Sequence, residues 1–404
     1  MVFLSHMSKL GQLLSGLALE GNIRILATQL LVSQIGLGMF AVVWQPYILS
    51  RGFTIMDLGL VQSTINLATA LGLFAWGYLS DRYGRKPVIL AATACRALSI
   101  AALLVSGNPL FLYVFSFLIG FSALWMQSNP ARSALVMESV TGSRRATAYA
   151  TLLMVSQVVS TLMASAGGYL AVAQGYTPIF LVTLVGEAAG IFIMWRGLKE
   201  TRDPKTQTES VFSIKDLLPE RELMPLYTIL AVIGVGYGIG YSVFYGALVD
   251  SLGFTTVELG LMMTVSNLTW ALMSVPGGKL SERIGGRKVI LISLVMSITT
   301  AVGFILFHSL FGLLVFSVTN ALDPCLWIPN WVSYLTERIP AGKRSIVFGK
   351  LDAYSRILSI PAPWIGGLIY SSYGFNAPLL VHLVLAVIWG TLLVRELWSP
   401  PVTY

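Results

Sequence analysis

Apolar residues run along this chain in long stretches, and short polar turns separate one stretch from the next. A stretch of about 20 apolar residues is long enough to cross the hydrocarbon core of a bilayer as a helix. The pattern therefore predicts an all-α membrane protein. Its twelve predicted transmembrane helices span residues 22–49, 55–79, 87–106, 110–137, 146–173, 177–197, 223–249, 256–280, 288–308, 310–337, 346–371 and 376–396.

Two segments depart from this pattern. Residues 1–21 carry leucines at helical spacing, which predicts a short amphipathic helix at the membrane interface. Residues 198–222 form a long polar segment, which we interpret as a linker with a short surface helix over Ser213–Leu218. The predicted domains are therefore six-helix bundles at 1–197 and 223–404. The first apolar run is long enough to span a membrane, so we expect no cleaved signal peptide.

The two predicted bundles share an internal repeat. Gly52–Lys86 aligns with Gly253–Arg287, and glycine, asparagine and arginine positions coincide as well as apolar ones. A second block of matches pairs Pro130 with Pro329, Glu138 with Glu337, Arg145 with Arg344, and Gly167-Gly168 with Gly366-Gly367. Six spans return the chain to the same side of the membrane, so the two halves have the same orientation. Parallel halves of this kind place a binding site near the midplane between them.

Composition and charge agree with a membrane protein. The chain is 55% hydrophobic and 11% charged, whereas a soluble domain has about 25% charged residues. The net charge of +8 does not indicate nucleic-acid binding, because the basic residues lie in short loops on one predicted side. The positive-inside rule makes that side cytoplasmic. We expect a multi-pass protein of the plasma (inner) membrane, surrounded by lipid bilayer, with both termini in the cytoplasm and no nucleic-acid partner.

The turn between the second and third predicted spans carries a motif, Gly77-x-Leu79-Ser80-Asp81-Arg82-x-Gly84-Arg85-Lys86. It resembles the loop 2–3 signature of the major facilitator superfamily at each defining position. The twelve spans, the two halves and the central linker extend the resemblance over the whole chain. A degraded copy at Gly278–Lys288 has Glu282 in place of the aspartate and an additional Gly286.

Spans 5 and 11 carry partial forms of a further signature, which marks proton-coupled exporters of that family. They read Gly167-Gly168 and Ala362-Pro363-Trp364-Ile365-Gly366-Gly367. Within the family, the chain therefore resembles the drug:proton antiporter-like branch. Small residues at these positions also suit ordinary helix packing in a membrane.

The family resemblance implies a cytoplasmic gate. Asp81 would lie near the N-terminus of span 11, where the helix dipole favours an anion. Arg82 or Arg85 would pair with Glu138, and an arginine of the degraded copy would pair with Glu337. The alternative is that these charges only set the topology. The predicted gate residues are Gly77, Asp81, Arg82, Gly84, Arg85, Lys86, Glu138, Glu282, Arg283, Arg287 and Glu337.

Ionisable residues inside a span are costly and therefore mark candidate functional sites. Arg96 on span 3 and Glu187 on span 6 have opposite charge and similar depth, which fits a structural ion pair or a charge relay. Asp323 lies on span 10, which lines the central cavity in the family, beside a break expected at Pro324. We favour Asp323 as the proton or cation site. The alternative is a buried carboxylate satisfied by neighbouring polar groups.

Other charged residues within the predicted spans include Arg132, Asp352 and Arg356. Arg132 on span 4 either contacts an anion in the cavity or joins the gate, and we favour the gate. Asp352 and Arg356 on span 11 are four residues apart, a spacing at which they can pair with each other.

Amides and aromatic rings dominate the predicted cavity lining. Tyr237, Tyr241 and Tyr245 form a stripe on one face of span 7. Such a lining suits an amphipathic organic solute, although helix packing and the interfacial aromatic belt would use the same residue types. The candidate proton or substrate site comprises Asp323, Arg132, Asn129, Gln34, Tyr237, Tyr241, Tyr245, Asn320 and Trp327.

The sequence contains no nucleotide-binding loop, no metal-ligand cluster and no nucleophile–base motif, so we expect no enzyme, cofactor or metal site. The favoured hypothesis is a monomeric secondary transporter that exports amphipathic organic compounds by alternating access, with protons as the coupling ion. An importer of a small metabolite, such as an organic anion or a sugar, is the first alternative. A non-transporting membrane sensor on the same fold is the second.

Overall fold

The computed structural model describes residues 19–105, 108–124, 129–140, 144–202, 218–339 and 344–399. Residues 1–18 of the predicted interfacial helix and residues 213–217 of the predicted surface helix lie outside these ranges.

Helices account for nearly all of the described chain. In chain order they are α1 Gly21–Ser50, α2 Ile55–Tyr83, α3 Arg85–Leu104, α4 Pro109–Phe121, α5 Pro130–Glu138, α6 Arg145–Gln174, α7 Thr177–Gly197, α8 Met224–Tyr241, α9 Phe244–Leu252, α10 Thr256–Ile284, α11 Gly286–Leu306, α12 Leu310–Arg338, α13 Arg344–Ser359, α14 Ala362–Tyr373 and α15 Asn376–Leu397. By length and apolar composition, ten helical segments among the described residues can cross a membrane.

Three of the predicted spans are made of two helices each. Span 4 consists of α4 and α5, span 7 of α8 and α9, and span 11 of α13 and α14. Proline explains two of the interruptions, because Pro130 begins α5 and Pro361 immediately precedes α14. The three spans lie where the sequence predicts them, and each is interrupted within its length.

The interruption between α8 and α9 has a different cause. In a continuous helix, the backbone N–H of Gly246 would donate to the carbonyl of Ser242. The side chain of Gln45 replaces that bond: its Oε1 accepts from Gly246 N at 2.7 Å. Its Nε2 donates to Ser242 O at 2.8 Å. A side-chain amide inserted into the backbone ladder is a known cause of a helix break.

The break expected at Pro324 does not occur. Helix α12 runs from Leu310 to Arg338 with both Pro324 and Pro329 inside it. Neighbouring helices in a membrane bundle make such interior prolines tolerable.

The repeated sequence blocks fold alike. At the start of α2, Thr54 N donates to Asp57 Oδ2 at 2.8 Å, and Asp57 N donates to Thr54 Oγ1 at 3.2 Å. At the start of α10, Thr255 N donates to Glu258 Oε2 at 2.7 Å in the same reciprocal arrangement. Both helices therefore begin with a capping box, which satisfies N–H groups that a helix start leaves without partners.

The chain divides into two compact units. The first unit contains Met1–Val43 and Ala68–Thr208, and the second contains Trp44–Leu67 and Glu209–Tyr404. The predicted boundaries at 197 and 223 stay a prediction, but the segment that joins α1 to α2 belongs to the second unit. Each unit has an apolar core; the first includes Leu26, Ile89, Leu135 and Leu152, and the second includes Tyr227, Ile290, Leu335 and Leu393.

Candidate functional site

Arg85 is the centre of a polar cluster at the loop between α2 and α3. Its guanidinium donates to Ser80 Oγ at 2.8 Å and to Asp81 Oδ1 at 2.5 Å. It also pairs with Glu138 at the end of α5, at 3.0 Å. The sequence left Arg82 and Arg85 as alternatives, and Arg85 is the residue that reaches Glu138. Arg82 instead donates to Tyr78 of its own helix at 3.3 Å.

Glu200 completes this cluster, although its sequence position gave no sign of it. Its carboxylate accepts from the backbone N–H of Arg85 at 2.8 Å and of Lys86 at 3.0 Å, and so caps the start of α3. Burial alone would raise the pKa of Glu200. Hydrogen bonds from the backbone amides of Arg202, Arg85, Lys86 and Thr201 outweigh burial and lower this pKa.

The segment that follows α7 makes two further contacts with the same loop. Thr201 Oγ1 donates to Glu138 Oε2 at 2.6 Å, and Arg202 donates to the carbonyl of Arg82 at 2.6 Å. Within the first unit, the start of the predicted linker is therefore hydrogen-bonded to the end of α5, through Glu138, and to the end of α2, through Arg82.

Two features of the structure require glycine at position 84. Its φ of +104° lies in the left-handed region, which residues with a side chain rarely adopt. A Cβ at this position would also lie 2.6 Å from Glu200 Oε2. The glycine thus makes room for the carboxylate that caps α3.

The second copy of the motif lacks the corresponding ion pair. Neither Arg283 nor Arg287 pairs with Glu337 among the described residues, so that prediction was wrong. Gly286 explains the difference, because it occupies the first position of α11 and moves the arginine one residue along the helix. One residue rotates a side chain by about 100° around the helix axis.

The end of α12 forms a different ion pair. Arg338 donates to Glu396 Oε1 at 2.8 Å and to the carbonyl of Glu396 at 3.0 Å, and both residues are buried. The second unit thus has its own arginine–glutamate pair at the end of α12, at positions that do not correspond to Arg85 and Glu138 in the repeat.

Arg96 and Glu187 form a buried two-bond ion pair in the first unit. Arg96 Nε donates to Glu187 Oε2 and Nη2 donates to Oε1, both at 2.9 Å. The side chains are 5% and 0% exposed. The predicted pair is present in this structure, and the parallel geometry is that of a strong guanidinium–carboxylate contact.

Arg132 lies in the same unit, away from the gate cluster. Its Nη2 donates to Gln29 Oε1 at 3.3 Å, and the residue is 6% exposed. A cavity of about 100 Å³ is bordered by both buried arginines; its lining is Leu30, Gln34, Leu37, Ala41, Arg96, Leu124 and Arg132. The sequence favoured the gate for Arg132, but the structure places this side chain at the cavity and bonds it to Gln29.

Two of the predicted amide residues differ in how they relate to this cavity. Gln34 lines it and donates to Ser160 Oγ at 2.5 Å. Asn129 instead caps α5: its side chain accepts from Ala131 N at 3.1 Å and donates to Ser122 O at 3.1 Å. Asn129 therefore has a structural role, which its position before Pro130 would have indicated.

Asp323 is the centre of a buried polar cluster in the second unit. Its carboxylate accepts a hydrogen bond from the hydroxyl of Tyr237 on α8, and Asp323 is 7% exposed. The Tyr237 hydroxyl also contacts Ser297 Oγ on α11 at 2.8 Å. A cavity of about 90 Å³ adjoins the carboxylate, and its lining is Ile233, Tyr237, Leu294, Ser297, Asp323, Pro324, Trp327 and Trp389.

His382 on α15 extends the Asp323 cluster and was not predicted. Its Nε2 lies 3.5 Å from Ser297 Oγ, and its ring packs edge-on against Tyr237 and Tyr241 with centroids 4.8 Å apart. The histidine is fully buried. Its place within the predicted span 376–396 was an available signal, because an ionisable residue inside a span marks a candidate functional site.

The remaining candidates lie outside the two cavities. Tyr245 follows the interruption after α8, and of the predicted tyrosine stripe only Tyr237 lines the cavity beside Asp323. Asn320 is on α12, but it does not line the cavity beside Asp323. Asp352 and Arg356 pair with each other at 2.8 Å, and both side chains are exposed. Within the described ranges, no three metal-ligating side chains form a group.

Comparison with known proteins identifies the family. The Major Facilitator Superfamily profile matches residues 26–254 and 226–403. The multidrug resistance protein MdtG of Salmonella arizonae is 24% identical over 353 residues, which is 84% of this chain and 84% of that protein.

Solved structures of low sequence identity share the fold. A mutant of the nucleoside transporter NupG superposes with a TM-score of 0.78 at 11% identity, over 93% of this chain and 100% of that one. A bacterial homologue of the iron transporter ferroportin, in its inward-facing state, superposes with a TM-score of 0.74 at 14% identity, over 93% and 98%. The chain is therefore a multi-pass membrane transporter, not an enzyme, and it belongs to the Major Facilitator Superfamily.

Proposed function

We propose that this transporter exports amphipathic organic compounds in exchange for protons. The observation that carries the proposal is Asp323, a buried carboxylate on α12 that adjoins a cavity. In the part of the chain that the structure describes, Asp323 has no ion-pair partner. Its contacts are with neutral hydroxyls, so its charge state can change without breaking a salt bridge.

The chemistry of Asp323 suits a coupling site. An ionised carboxylate within a membrane is costly, and binding a proton removes that cost. The Tyr237 hydroxyl donates to the carboxylate and holds it at the cavity wall. In an exchange cycle, Asp323 takes up a proton from the outside, and loses it to the cytoplasm before the exported compound binds.

The cavity next to Asp323 supports a substrate with apolar surface. Trp327, Trp389, Ile233 and Leu294 supply most of its wall. A mostly apolar pocket with a few polar groups is typical of sites for organic molecules. The relative MdtG is a multidrug resistance protein, which supports the proposal that this chain exports such compounds.

The loop cluster around Arg85 is proposed as the cytoplasmic gate. The basic loops, both termini and the linker lie on the cytoplasmic side in this proposal. Arg85 holds Asp81 and Glu138 together, while Glu200 fixes the start of α3. Opening of the gate would then require some of these charge-assisted bonds to break or rearrange.

Dye flux in proteoliposomes tests the proposal. The full-length protein is reconstituted, and flux of an amphipathic dye is measured with and without an imposed proton gradient. We expect gradient-driven flux for the wild type, loss of gradient dependence for Asp323→Asn, and wild-type flux for the control Glu222→Gln, an exposed carboxylate. Gradient-independent flux in the wild type, or full activity of Asp323→Asn, would contradict proton coupling through Asp323.

Import of a small organic anion is the second candidate, and the buried Arg132 is the observation that favours it. The same proteoliposomes separate the two candidates by direction. Proton-driven accumulation of the solute together with protons, rather than in exchange for them, would establish import.

A further inference from the structure

The buried charges of the first unit do not balance. Arg96, Arg132 and Glu187 are 4%, 6% and 0% exposed. Both carboxylate oxygens of Glu187 accept from Arg96 at 2.9 Å, so this pair is neutral. Arg132 bonds to the neutral amide of Gln29 and forms no ion pair among the described residues. The group therefore carries one net positive charge.

An unpaired cation in this position is costly. Removing a guanidinium from water costs several kcal/mol unless a counter-charge or a full set of hydrogen bonds compensates for it. Within a membrane such residues mark ion or substrate pathways. The single 3.3 Å bond to Gln29 leaves most of the five N–H groups of Arg132 without an acceptor among the described residues.

The lining of the adjoining cavity suits an acid with an apolar body. Arg132, Arg96 and Gln34 supply donors at its polar wall, and Leu30, Leu37 and Leu124 supply apolar wall. Its volume of about 100 Å³ is several times what one water molecule needs. A guanidinium binds a planar or tetrahedral oxyanion through two parallel N–H bonds.

We infer that the transported compounds carry an acidic group, a carboxylate or sulfonate, and that Arg132 binds it in this cavity. Gln34 acts as the second donor, and the leucines contact the apolar part of the compound. The Arg96–Glu187 pair holds the wall in place and contributes no net charge. This inference rests on the proposed transport function. It narrows the amphipathic substrates to organic anions, and it places them in the cavity beside Arg132 rather than in the cavity beside Asp323.

Matched probes test the inference by direct binding. Naphthalene-1-sulfonate, naphthalene-1-sulfonamide and (1-naphthylmethyl)trimethylammonium share one ring and differ in charge. Isothermal titration calorimetry on the purified full-length protein should give at least about tenfold tighter binding of the sulfonate. Arg132→Gln should remove that preference and Arg132→Lys should retain part of it. The control Arg24→Gln removes an exposed arginine of α1 and should bind as the wild type does.

A second variant tests the inference independently, in case Arg132→Gln does not fold. Gln34→Glu adds a carboxylate to the cavity wall, where it can pair with Arg132. We expect Gln34→Glu to unfold at the wild-type temperature or higher and to bind the sulfonate at least about tenfold more weakly. Equal binding of all three probes by the wild type would overturn the inference. So would unchanged sulfonate affinity in folded Arg132→Gln or Gln34→Glu.

Flux separates failure of this inference from failure of the proposed function. If the proposed function is wrong, no probe shows proton-driven exchange in proteoliposomes, whether or not the sulfonate binds. If only the inference is wrong, the neutral or cationic probe is exchanged for protons as well as the sulfonate or better.

Discussion

The side chain of Gln45 accepts a hydrogen bond from the backbone N–H of Gly246 at 2.7 Å. That N–H would otherwise bond to Ser242 within one continuous helix, and Gln45 binds the Ser242 carbonyl as well. One amide side chain thus takes the place of one helical hydrogen bond. It ties the segment Trp44–Leu67 to the rest of the second unit.

Replacing Gln45 by alanine should therefore loosen this attachment. We expect Gln45→Ala to destabilise the protein by about 1–3 kcal/mol, because two buried backbone groups lose their partner or must re-form the helix. Thermal unfolding in detergent measures the loss. The matched control is Gln62→Ala, since Gln62 bonds to Asn66 of its own helix. Equal unfolding temperatures for the two variants would contradict the role of Gln45.

The buried pair Arg96–Glu187 should be sensitive to single substitutions. Glu187→Gln leaves two buried guanidiniums without a carboxylate, and we expect a loss of about 3–5 kcal/mol in the free energy of unfolding. The double variant Arg96→Met with Glu187→Leu removes both charges and should be more stable than Glu187→Gln. Transport by a stable double variant indicates a structural pair, and loss of transport indicates a relay.

Glu200 should stabilise the start of α3. Glu200→Gln removes a charge that accepts from two N–H groups at a helix N-terminus, and we expect a loss of about 1 kcal/mol. Unfolding of the control Glu222→Gln should match the wild type, because Glu222 is an exposed glutamate outside the loop cluster. A similar loss in both variants would show that the general charge balance, rather than the cap, is responsible.

The contribution of Glu200 should also depend on pH. Its pKa is lowered in the folded protein from the ordinary value of 4.5. The charged form therefore stabilises the fold above the ordinary pKa, and this contribution is lost as the pH falls through the lowered value. The difference in unfolding temperature between wild type and Glu200→Gln should be constant from about pH 7 to about pH 6, and shrink below about pH 4.5. A difference that grows on acidification would contradict this assignment.

The two copies of the motif should differ in importance. Asp81 accepts from Arg85 at 2.5 Å, whereas Glu282 is exposed and forms no ion pair within the described part of the chain. Asp81→Asn should lower the transport rate roughly fivefold, corresponding to about 1 kcal/mol. Glu282→Gln should lower it less. Equal rates for the two variants in the proteoliposome assay would count against a gate that depends on the first copy.

Much of the candidate site was predictable because several of its members are ionisable residues within apolar segments. Arg96, Glu187 and Asp323 stand out in the sequence as ionisable residues within apolar runs. Arg85 lies in the loop motif, and the family resemblance implied that Arg82 or Arg85 pairs with Glu138. His382 met the same criterion and was overlooked, whereas Ser297 and Glu200 gave no comparable signal. Serine is not rare in such helices, and a glutamate in a polar linker is ordinary until its partners are known.

The sequence by itself determined the membrane-spanning helices, the internal repeat and the family. Each of these three features follows from local periodicity or from a motif. None of them depends on which helices pack against each other. Tertiary structure decided that Arg132 faces a cavity, that Arg85 rather than Arg82 meets Glu138, and that Gln45 interrupts the seventh span. The physical reason is the same in all three cases. A hydrogen bond or ion pair between distant residues depends on helix rotation and packing, and one inserted residue such as Gly286 rotates a side chain by about 100°.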